Sequence, residues 1–231
     1  MAFTFRYLAC FALCFACASL AQTEDTKEPI VSMQFRVFGS VPISGLAFGE
    51  PGSSALQSIK FHRAQLSKTY HYKGPRTLEF IKGGNTESAI AAFEFNETNN
   101  RWLLFFIPSL DQNNQGISRY QILGLADDFE KIPLGSYVFL NLSEHDYQAE
   151  YSGKVLSLPR GLSRSYTASG DSFLGLTYIS SGHKIEVGGV NFGLTPDARA
   201  IILISPPSRK TSLQPLLRVI IDESKPDPKK R

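Results

Sequence analysis

Four histidines, His62, His71, His145 and His183, are the side chains in this sequence best suited to bind a metal ion or to activate a nucleophile. Two ligands on one face of a strand have to be two residues apart, and no pair of these histidines has that spacing. His62 and His71 could meet across a hairpin, since each occupies a polar position in an alternating segment. The pattern favours exposed strand histidines over a metal centre, and a polar turn for His145.

Ser172 lies in the sequence Gly170-Asp171-Ser172-Phe173-Leu174, which has the form of the nucleophile block in GDSL-type hydrolases. Those enzymes carry the block early in an α/β fold, and a histidine near the C-terminus activates the serine. Here the block comes late, among strand-like segments, and His183 is the only later histidine. Because Gly and Asp are common turn residues, the pattern favours a turn between two strands.

Oxygen ligands for a cation are concentrated in Asp111–Gly116, which resembles the start of a calcium loop. The twelfth position of such a loop would be Ile122, where calcium needs a bidentate acid. A solvated hairpin loop is therefore the favoured interpretation, and calcium binding remains an open alternative. A second acidic group, Asp127, Asp128 and Glu130, is interpreted as the charged end of a strand.

Glycoside hydrolysis or sugar binding requires side chains that converge in the folded protein. Hydrolysis needs two acids in one cleft, and spacing does not single out a pair among 21 acidic residues. Sugar stacking needs exposed aromatic rings, but the single tryptophan, Trp102, lies in a continuous apolar segment. Burial is also expected for the rings of Tyr70, Tyr72, Tyr166 and Tyr178. No catalytic, cofactor-binding or metal-binding residue is assigned, and no cofactor is expected.

Two hydrophobic patterns predict the elements that would position these residues. Segments such as Tyr70-His71-Tyr72 alternate apolar and polar residues, which predicts strands with one buried face. Continuous apolar segments predict central strands covered on both faces. These segments are Trp102–Ile107, Tyr137–Leu140, Ile201–Ile204 and Leu216–Ile221. With turn-forming residues between them and no convincing helical period, the chain is predicted to be all-β, with immunoglobulin-like or jelly-roll-like sandwiches.

The N-terminus has the three parts of a secretory signal peptide: the positive Arg6, an apolar segment at 7–20, and small residues before a cleavage site after Ala21. The apolar segment is shorter than the ~20 residues that cross a bilayer. The mature chain, starting at Gln22, is therefore predicted to be periplasmic or secreted, without an integral membrane span. Lipidation at Cys17 remains an alternative, although the preceding residues fit a lipidation site poorly.

All three cysteines precede Ala21, so the mature chain is predicted to contain no disulfide. Its 210 residues must then be held by a packed core, and a chain of this size buries roughly 70% of its unfolded surface. The formal charge of +3 becomes +2 without Arg6, which favours no nucleic-acid partner. Residues 22–32 and the charged tail 224–231 are predicted to be disordered.

The sequence also contains an internal repeat. Leu66-Ser-Lys-Thr-Tyr70 recurs as Leu162-Ser-Arg-Ser-Tyr166. An arginine followed by apolar residues and a proline recurs at 101–108 and 199–206. The two landmarks lie 35 residues apart in the first copy and 37 in the second, and each copy closes with an apolar strand that ends in two acidic residues. Landmarks in the same order at similar spacing indicate a duplication.

The repeat predicts β-sandwich units at residues 33–128 and 135–223, joined by the short, partly apolar segment 129–134. A join of this kind indicates tightly packed units. The strand order, the segment Gly135-Ser-Tyr-Val-Phe-Leu-Asn-Leu142 and the turn Leu158-Pro-Arg-Gly161 resemble those of exported two-repeat β-sandwich proteins of Gram-negative bacteria. The resemblance implies an envelope or secreted protein, and it implies no activity.

These observations predict a non-catalytic structural or interaction module of the cell envelope or secretome. Its partner would be an envelope protein or a polysaccharide. A carbohydrate-binding module and a hydrolase are the two alternatives. Exposed aromatic rings in a groove would favour carbohydrate binding, whereas a serine beside a histidine, or two converging acids, would favour hydrolysis.

Overall fold

A computed structural model describes residues 29–39, 43–49, 56–60, 65–82, 89–96, 98–108, 120–168, 172–180, 183–207, 209 and 212–225. These residues form seventeen strands and no helix, which confirms the predicted all-β class. No helix in this part of the chain therefore has the length and hydropathy needed to cross a membrane. The predicted signal peptide, residues 22–28 of the predicted disordered segment, and tail residues 226–231 lie outside the described residues.

The first eight strands form two four-stranded sheets. Their bounds are β1 Val31–Gly39, β2 Leu46–Phe48, β3 Gln57–Ser58, β4 Tyr70–Gly74, β5 Thr77–Lys82, β6 Ala89–Glu94, β7 Arg101–Pro108 and β8 Tyr120–Ala126. Sheet 1 has the order β4-β1-β7-β8, and sheet 2 has the order β3-β2-β5-β6. Strands β1 and β7 are parallel, and the other neighbours are antiparallel.

The remaining nine strands repeat this path. Their bounds are β9 Ser136–Asn141, β10 Tyr147–Tyr151, β11 Lys154–Leu158, β12 Gly161–Leu162, β13 Tyr166–Thr167, β14 Ser172–Ser180, β15 His183–Phe192, β16 Arg199–Ser205 and β17 Leu216–Asp222. In sheet 3 the order is β12-β9-β16-β17, with β13 also paired to β9, and in sheet 4 it is β11-β10-β14-β15. Strand β9 is parallel to β16, as β1 is to β7.

Three apolar clusters stack the sheets in the order 2-1-3-4. The first lies between sheets 1 and 2 and contains Phe35 and Leu104. The second lies between sheets 3 and 4 and contains Tyr137. The third joins the other faces of sheets 1 and 3 and contains Phe105 and Leu203. Sheets 1 and 3 are covered on both faces, because alternate residues of a strand point to opposite sides.

This layering explains the continuous apolar segments. Tyr137–Leu140 and Ile201–Ile204 are buried throughout, and Trp102–Ile107 is buried except for the half-buried Ile107, which confirms that these segments belong to central strands. The same prediction for Leu216–Ile221 is wrong, since Leu216 and Ile221 are 46% and 43% exposed. Strand β17 is the outermost strand of sheet 3 and has a neighbour on one side, so part of its surface faces solvent.

The start of the first strand also differs from the predicted boundary at residue 33. Strand β1 begins at Val31, because Val31 and Ser32 pair with Gly74 and Lys73 of β4. Residues 31 and 32, predicted to be disordered, therefore belong to sheet 1.

A serine hydroxyl accepts a backbone hydrogen bond from β1 of sheet 1, and another serine does the same for β9 of sheet 3. The Ser67 hydroxyl accepts a hydrogen bond of 2.8 Å from the Val37 N–H. The Ser163 hydroxyl accepts one of 2.9 Å from the Phe139 N–H. These two serines occupy the same position in the repeated sequence motif, so the motif has the same local structure at both places.

Five charged side chains meet where sheets 1 and 3 pack together: Arg36, Arg101, Arg199, Asp127 and Asp222. Asp127 accepts hydrogen bonds from Arg36 at 3.2 Å and from Arg101 at 3.1 Å, and it also pairs with Arg199. Asp127 directly follows the last residue of β8, in agreement with its interpretation as a charged strand end, but it is buried. Three guanidinium groups compensate the loss of water around its buried carboxylate.

The segment 129–134 packs against this cluster. The Phe129 ring lies 3.7 Å from the Arg199 guanidinium carbon, a cation–π contact. Ile132 belongs to the apolar cluster between sheets 1 and 3. The segment is thus part of the packed interface between the two halves.

Candidate functional site

A groove of about 860 Å³ crosses sheet 4 and is the main candidate binding site among the described residues. Glycines form part of its lining. Gly175 of β14 lies directly opposite Gly189 of β15. The preceding residue, Gly188, has a φ of 144°, a backbone conformation that residues with a side chain disfavour. The register shifts between Leu176 and Thr177, which is a β-bulge. Paired glycines leave a depression in the sheet because they carry no side chains.

Phe173 lies across this depression. A Cβ atom added to Gly189 would lie 2.3 Å from Phe173 Cζ, and one added to Gly175 would lie 3.4 Å from Phe173 Cε1. The ring can approach the backbone closely because both positions are glycine. Phe173 nevertheless remains 60% exposed. The groove therefore offers an aromatic ring that is supported by the sheet and accessible from solvent.

Polar side chains line the same groove. Glu150 is opposite Gly175, and Glu186 is opposite Thr177, so both carboxylates project from the same face of sheet 4. Gln214 lines the groove beside Gly188. An accessible ring with hydrogen-bond acceptors and an amide suits a ligand with an apolar face and several hydroxyl groups.

A second cavity, of about 420 Å³, borders the groove and is called the tyrosine cleft below. It contains Tyr137, Tyr151 and Tyr166 between sheets 3 and 4. The Tyr137 and Tyr151 rings meet edge-on with centroids 5.1 Å apart, whereas Tyr166 stacks on Tyr137 at 5.6 Å. Lys154 lines the same cleft. Ser152, in the β10–β11 turn, lines both cavities, so the two cavities lie next to each other at this turn.

The matching position in the first half of the chain is closed. Tyr70 stacks on Phe35 with centroids 5.6 Å apart, as Tyr166 stacks on Tyr137. The Tyr70 hydroxyl, however, accepts a hydrogen bond of 2.8 Å from the Lys60 N–H, and Tyr70 is 5% exposed. Tyr166 is half-buried and faces the tyrosine cleft. The two halves thus share a framework and differ in access to this tyrosine.

The structure separates Ser172 from His183, the two residues that the hydrolase alternative would need side by side. Ser172 is the first residue of β14 and pairs with Phe192, whereas His183 pairs with Ser180 at the other end of the same hairpin. Eight residues of strand place their backbones about 27 Å apart. Gly170 and Asp171 lie outside the described residues, so the predicted turn at this block is not described.

The other sequence candidates lie apart from the groove. His71 and His183 are exposed, and His145 lies at a bend with its ring 5.0 Å from that of Tyr178. His62 and Asp111–Gly116 lie outside the described residues, so their predicted roles remain predictions. Within the described ranges, no group of three or more histidine, cysteine or acidic side chains is arranged to hold a metal ion.

Burial of Trp102 confirms its predicted place in the core. Phe173 was not predicted as a site residue, because the block Gly170–Leu174 was interpreted as a turn between two strands. The available signal was glycine at positions 175, 188 and 189, since glycine within a strand often marks a bulge or a close approach.

No family model matches the chain, and no curated protein matches it. A solved structure of a leucine-rich repeat protein from Bacteroides thetaiotaomicron aligns with 77% of the chain at 9% sequence identity and a TM-score of 0.16. The aligned part spans 26% of that protein. A TM-score this low establishes no shared fold.

Proposed function

We propose that this chain is an exported, non-catalytic binding module made of two β-sandwich units, residues 31–128 and 135–223, related by internal duplication. We further propose that a saccharide binds in the groove across sheet 4. The observation that carries the proposal is the accessible Phe173 ring held over the Gly175–Gly189 pair.

The duplication is supported by equivalent contacts at equivalent places. Sheets 1 and 3 have the same strand order. In each sheet the first strand of the unit is parallel to the penultimate strand, β1 to β7 and β9 to β16. The stacked pairs Phe35–Tyr70 and Tyr137–Tyr166 have the same centroid distance, 5.6 Å, and interplanar angles of 27° and 26°. Agreement at this level, together with the repeated sequence landmarks, favours descent of both units from one ancestral unit.

Saccharide binding is supported by the chemistry of the groove. A sugar ring has an apolar face that packs on an aromatic ring, and its hydroxyl groups donate hydrogen bonds to carboxylates. Phe173 supplies such a ring, and Glu150 and Glu186 supply acceptors on the same face. Ligand sites commonly combine apolar surface with a few polar groups in this way.

The distance from Ser172 to His183 along the sheet supports a non-catalytic role. The backbones of Ser172 and His183 are about 27 Å apart, beyond the reach of a serine–histidine hydrogen bond. Glu150 and Glu186 lie two strands and two residues apart, or about 12 Å between backbones. This arrangement lets the two carboxylates contact different parts of one extended ligand.

The test is binding of soluble neutral and acidic oligosaccharides to the purified mature protein, followed by NMR and calorimetry. We expect Phe173→Ala to weaken binding about tenfold, which corresponds to about 1.4 kcal/mol. Val155→Ala is the matched control, because Val155 is also 60% exposed on sheet 4 but does not line the groove. Equal losses in both variants would contradict the proposed site, and cleavage of a saccharide would contradict the non-catalytic role.

Export is tested separately by mass spectrometry of the protein made with its leader in a secreting host. We expect a product that begins at Gln22 and contains no titratable thiol. A product that retains Cys17 with the added mass of a lipid would show a lipoprotein instead.

A further inference from the structure

We infer that the tyrosine cleft binds an anionic group, so that the ligand of this protein is an acidic saccharide whose carboxylate enters the cleft while a neutral part lies on Phe173. The inference rests on the proposed function and deepens it, because it assigns a chemical class to the ligand. It also gives a role to a cavity outside the groove.

The charge of the cleft is the first argument. Lys154 and Arg164 line it, and both are exposed. Neither forms an ion pair with a described residue, and the described lining contains no acidic side chain. Two cations beside a cavity favour an anionic ligand, and a guanidinium group can bind both oxygens of a carboxylate.

The hydroxyl groups of the cleft are the second argument. Burial raises the pKa of Tyr137, and the neighbouring phenols of Tyr151 and Tyr166 raise it further. A tyrosine is protonated at neutral pH even at its ordinary pKa, so the Tyr137 hydroxyl can donate a hydrogen bond. The Tyr166 ring already contacts Tyr137, and the Arg164 guanidinium carbon lies 5.2 Å from its centroid. The polar side chains that a ligand would meet in the cleft thus carry positive charges or hydroxyl groups, beside apolar surface from the rings and Leu156.

The division of charge between the two cavities is the third argument. The groove contains Glu150 and Glu186, which disfavour an anion there. The cleft contains Lys154 and Arg164, which favour one. Because Ser152 lines both cavities, one extended molecule can occupy both. A saccharide with an acidic group beside a neutral ring matches this order of charges.

The test is an NMR titration of the mature protein with trimers of galacturonate, glucuronate and mannuronate, and with the neutral trimers of galactose, glucose and mannose. Inorganic phosphate is the probe for free oxyanions. The signals of the Tyr166 and Phe173 rings report the cleft and the groove separately. The variant is Arg164→Gln. Lys68→Gln is its matched control, since Lys68 lies 5.4 Å from the Tyr70 ring at the equivalent, closed position.

We expect an acidic trimer to shift the signals of both the Tyr166 and the Phe173 ring and to bind at least tenfold more tightly than its neutral counterpart. Its affinity should fall about five- to tenfold in Arg164→Gln. In Lys68→Gln the affinity should fall less than twofold. A neutral trimer that binds as tightly and shifts Phe173 would overturn the inference and leave the proposed function standing. Phosphate that shifts Tyr166, with no acidic trimer shifting Phe173, would overturn the link between anion and saccharide. If no trimer shifts either ring, the proposed function itself fails.

Discussion

Asp222 binds Arg36, a residue 186 positions earlier in the chain, through both carboxylate oxygens at 2.6 and 2.8 Å. Asp222 also accepts a hydrogen bond of 2.9 Å from Arg199 Nε. Arg36 belongs to sheet 1, whereas Asp222 ends the last strand of sheet 3. The two halves of the molecule are therefore joined by buried charges as well as by apolar packing.

Removing the carboxylate charge at this position should destabilise the protein strongly. We expect Asp222→Asn to lower the free energy of unfolding by about 3–5 kcal/mol, because Arg36 and Arg199 would keep buried charges without their full complement of carboxylates. Urea unfolding followed by circular dichroism measures the change. Glu223→Gln is the control, since the neighbouring Glu223 is exposed. A similar loss in both variants would contradict a specific role for Asp222.

The same carboxylate should make stability depend on pH. Burial alone would raise the pKa of Asp222, but hydrogen bonding and charge from Arg36, together with the charge of Arg199, hold it below its ordinary value of 3.8. A lowered pKa in the folded state means that the unfolded chain takes up the proton first as pH falls. Stability from this group is therefore present above about pH 5 and is lost progressively below it. The urea midpoint should fall between pH 7 and pH 3.5, and it should fall less in Asp222→Asn than in the wild type. An equal fall in both proteins would refute the assignment of this pH dependence to Asp222.

The apolar cluster between sheets 1 and 3 should contribute equally from both sides. Phe105 and Leu203 are buried at equivalent positions of β7 and β16. We expect Phe105→Ala or Leu203→Ala to cost about 2–5 kcal/mol, since each leaves a cavity in a packed core. His183→Ala should cost much less, because His183 is exposed.

Reducing agent should leave the midpoint of denaturant unfolding of the mature protein unchanged, because the predicted mature chain contains no cysteine.

The glycine beneath Phe173 should resist substitution. A Cβ atom at position 189 would lie 2.3 Å from Phe173 Cζ and 2.7 Å from the Leu174 carbonyl oxygen. The ring can move, but the carbonyl belongs to the sheet, so we expect Gly189→Ala to cost about 1–3 kcal/mol. Gly175→Ala is the control and should cost less, since its nearest contact is 3.4 Å. Adding Phe173→Ala should recover part of the lost stability. Full recovery would show that the carbonyl imposes no constraint.

The sequence predicted the parts of the fold that depend on local periodicity. The continuous apolar residues from Trp102 to Phe106 belong to a strand that is covered on both faces. This burial can be predicted without knowing which segments cover the strand. For Leu216–Ile221 the same pattern failed, because it cannot tell a central strand from an edge strand. That difference depends on which strands follow in the sheet.

The site could not be predicted because its features depend on pairing between distant segments. Phe173 is exposed over Gly189, sixteen residues later, and the register across the bulge decides that they meet. Asp127 resembles a surface residue at the end of a strand. Its burial depends on Arg36, 91 residues earlier, and Arg199, 72 residues later. No local pattern contains that information.

The separation of Arg36 from Asp222 also constrains when the molecule can fold. At about 5–20 residues per second, the 186 residues between them take roughly 10–40 s to synthesise. Once Phe105 has been made, the face of sheet 1 that carries it waits for Leu203, which follows 98 residues later. The contact between sheets 1 and 3 that Arg36 and Asp222 make can therefore form only after Asp222 has been made, however early the strands of sheet 1 have paired.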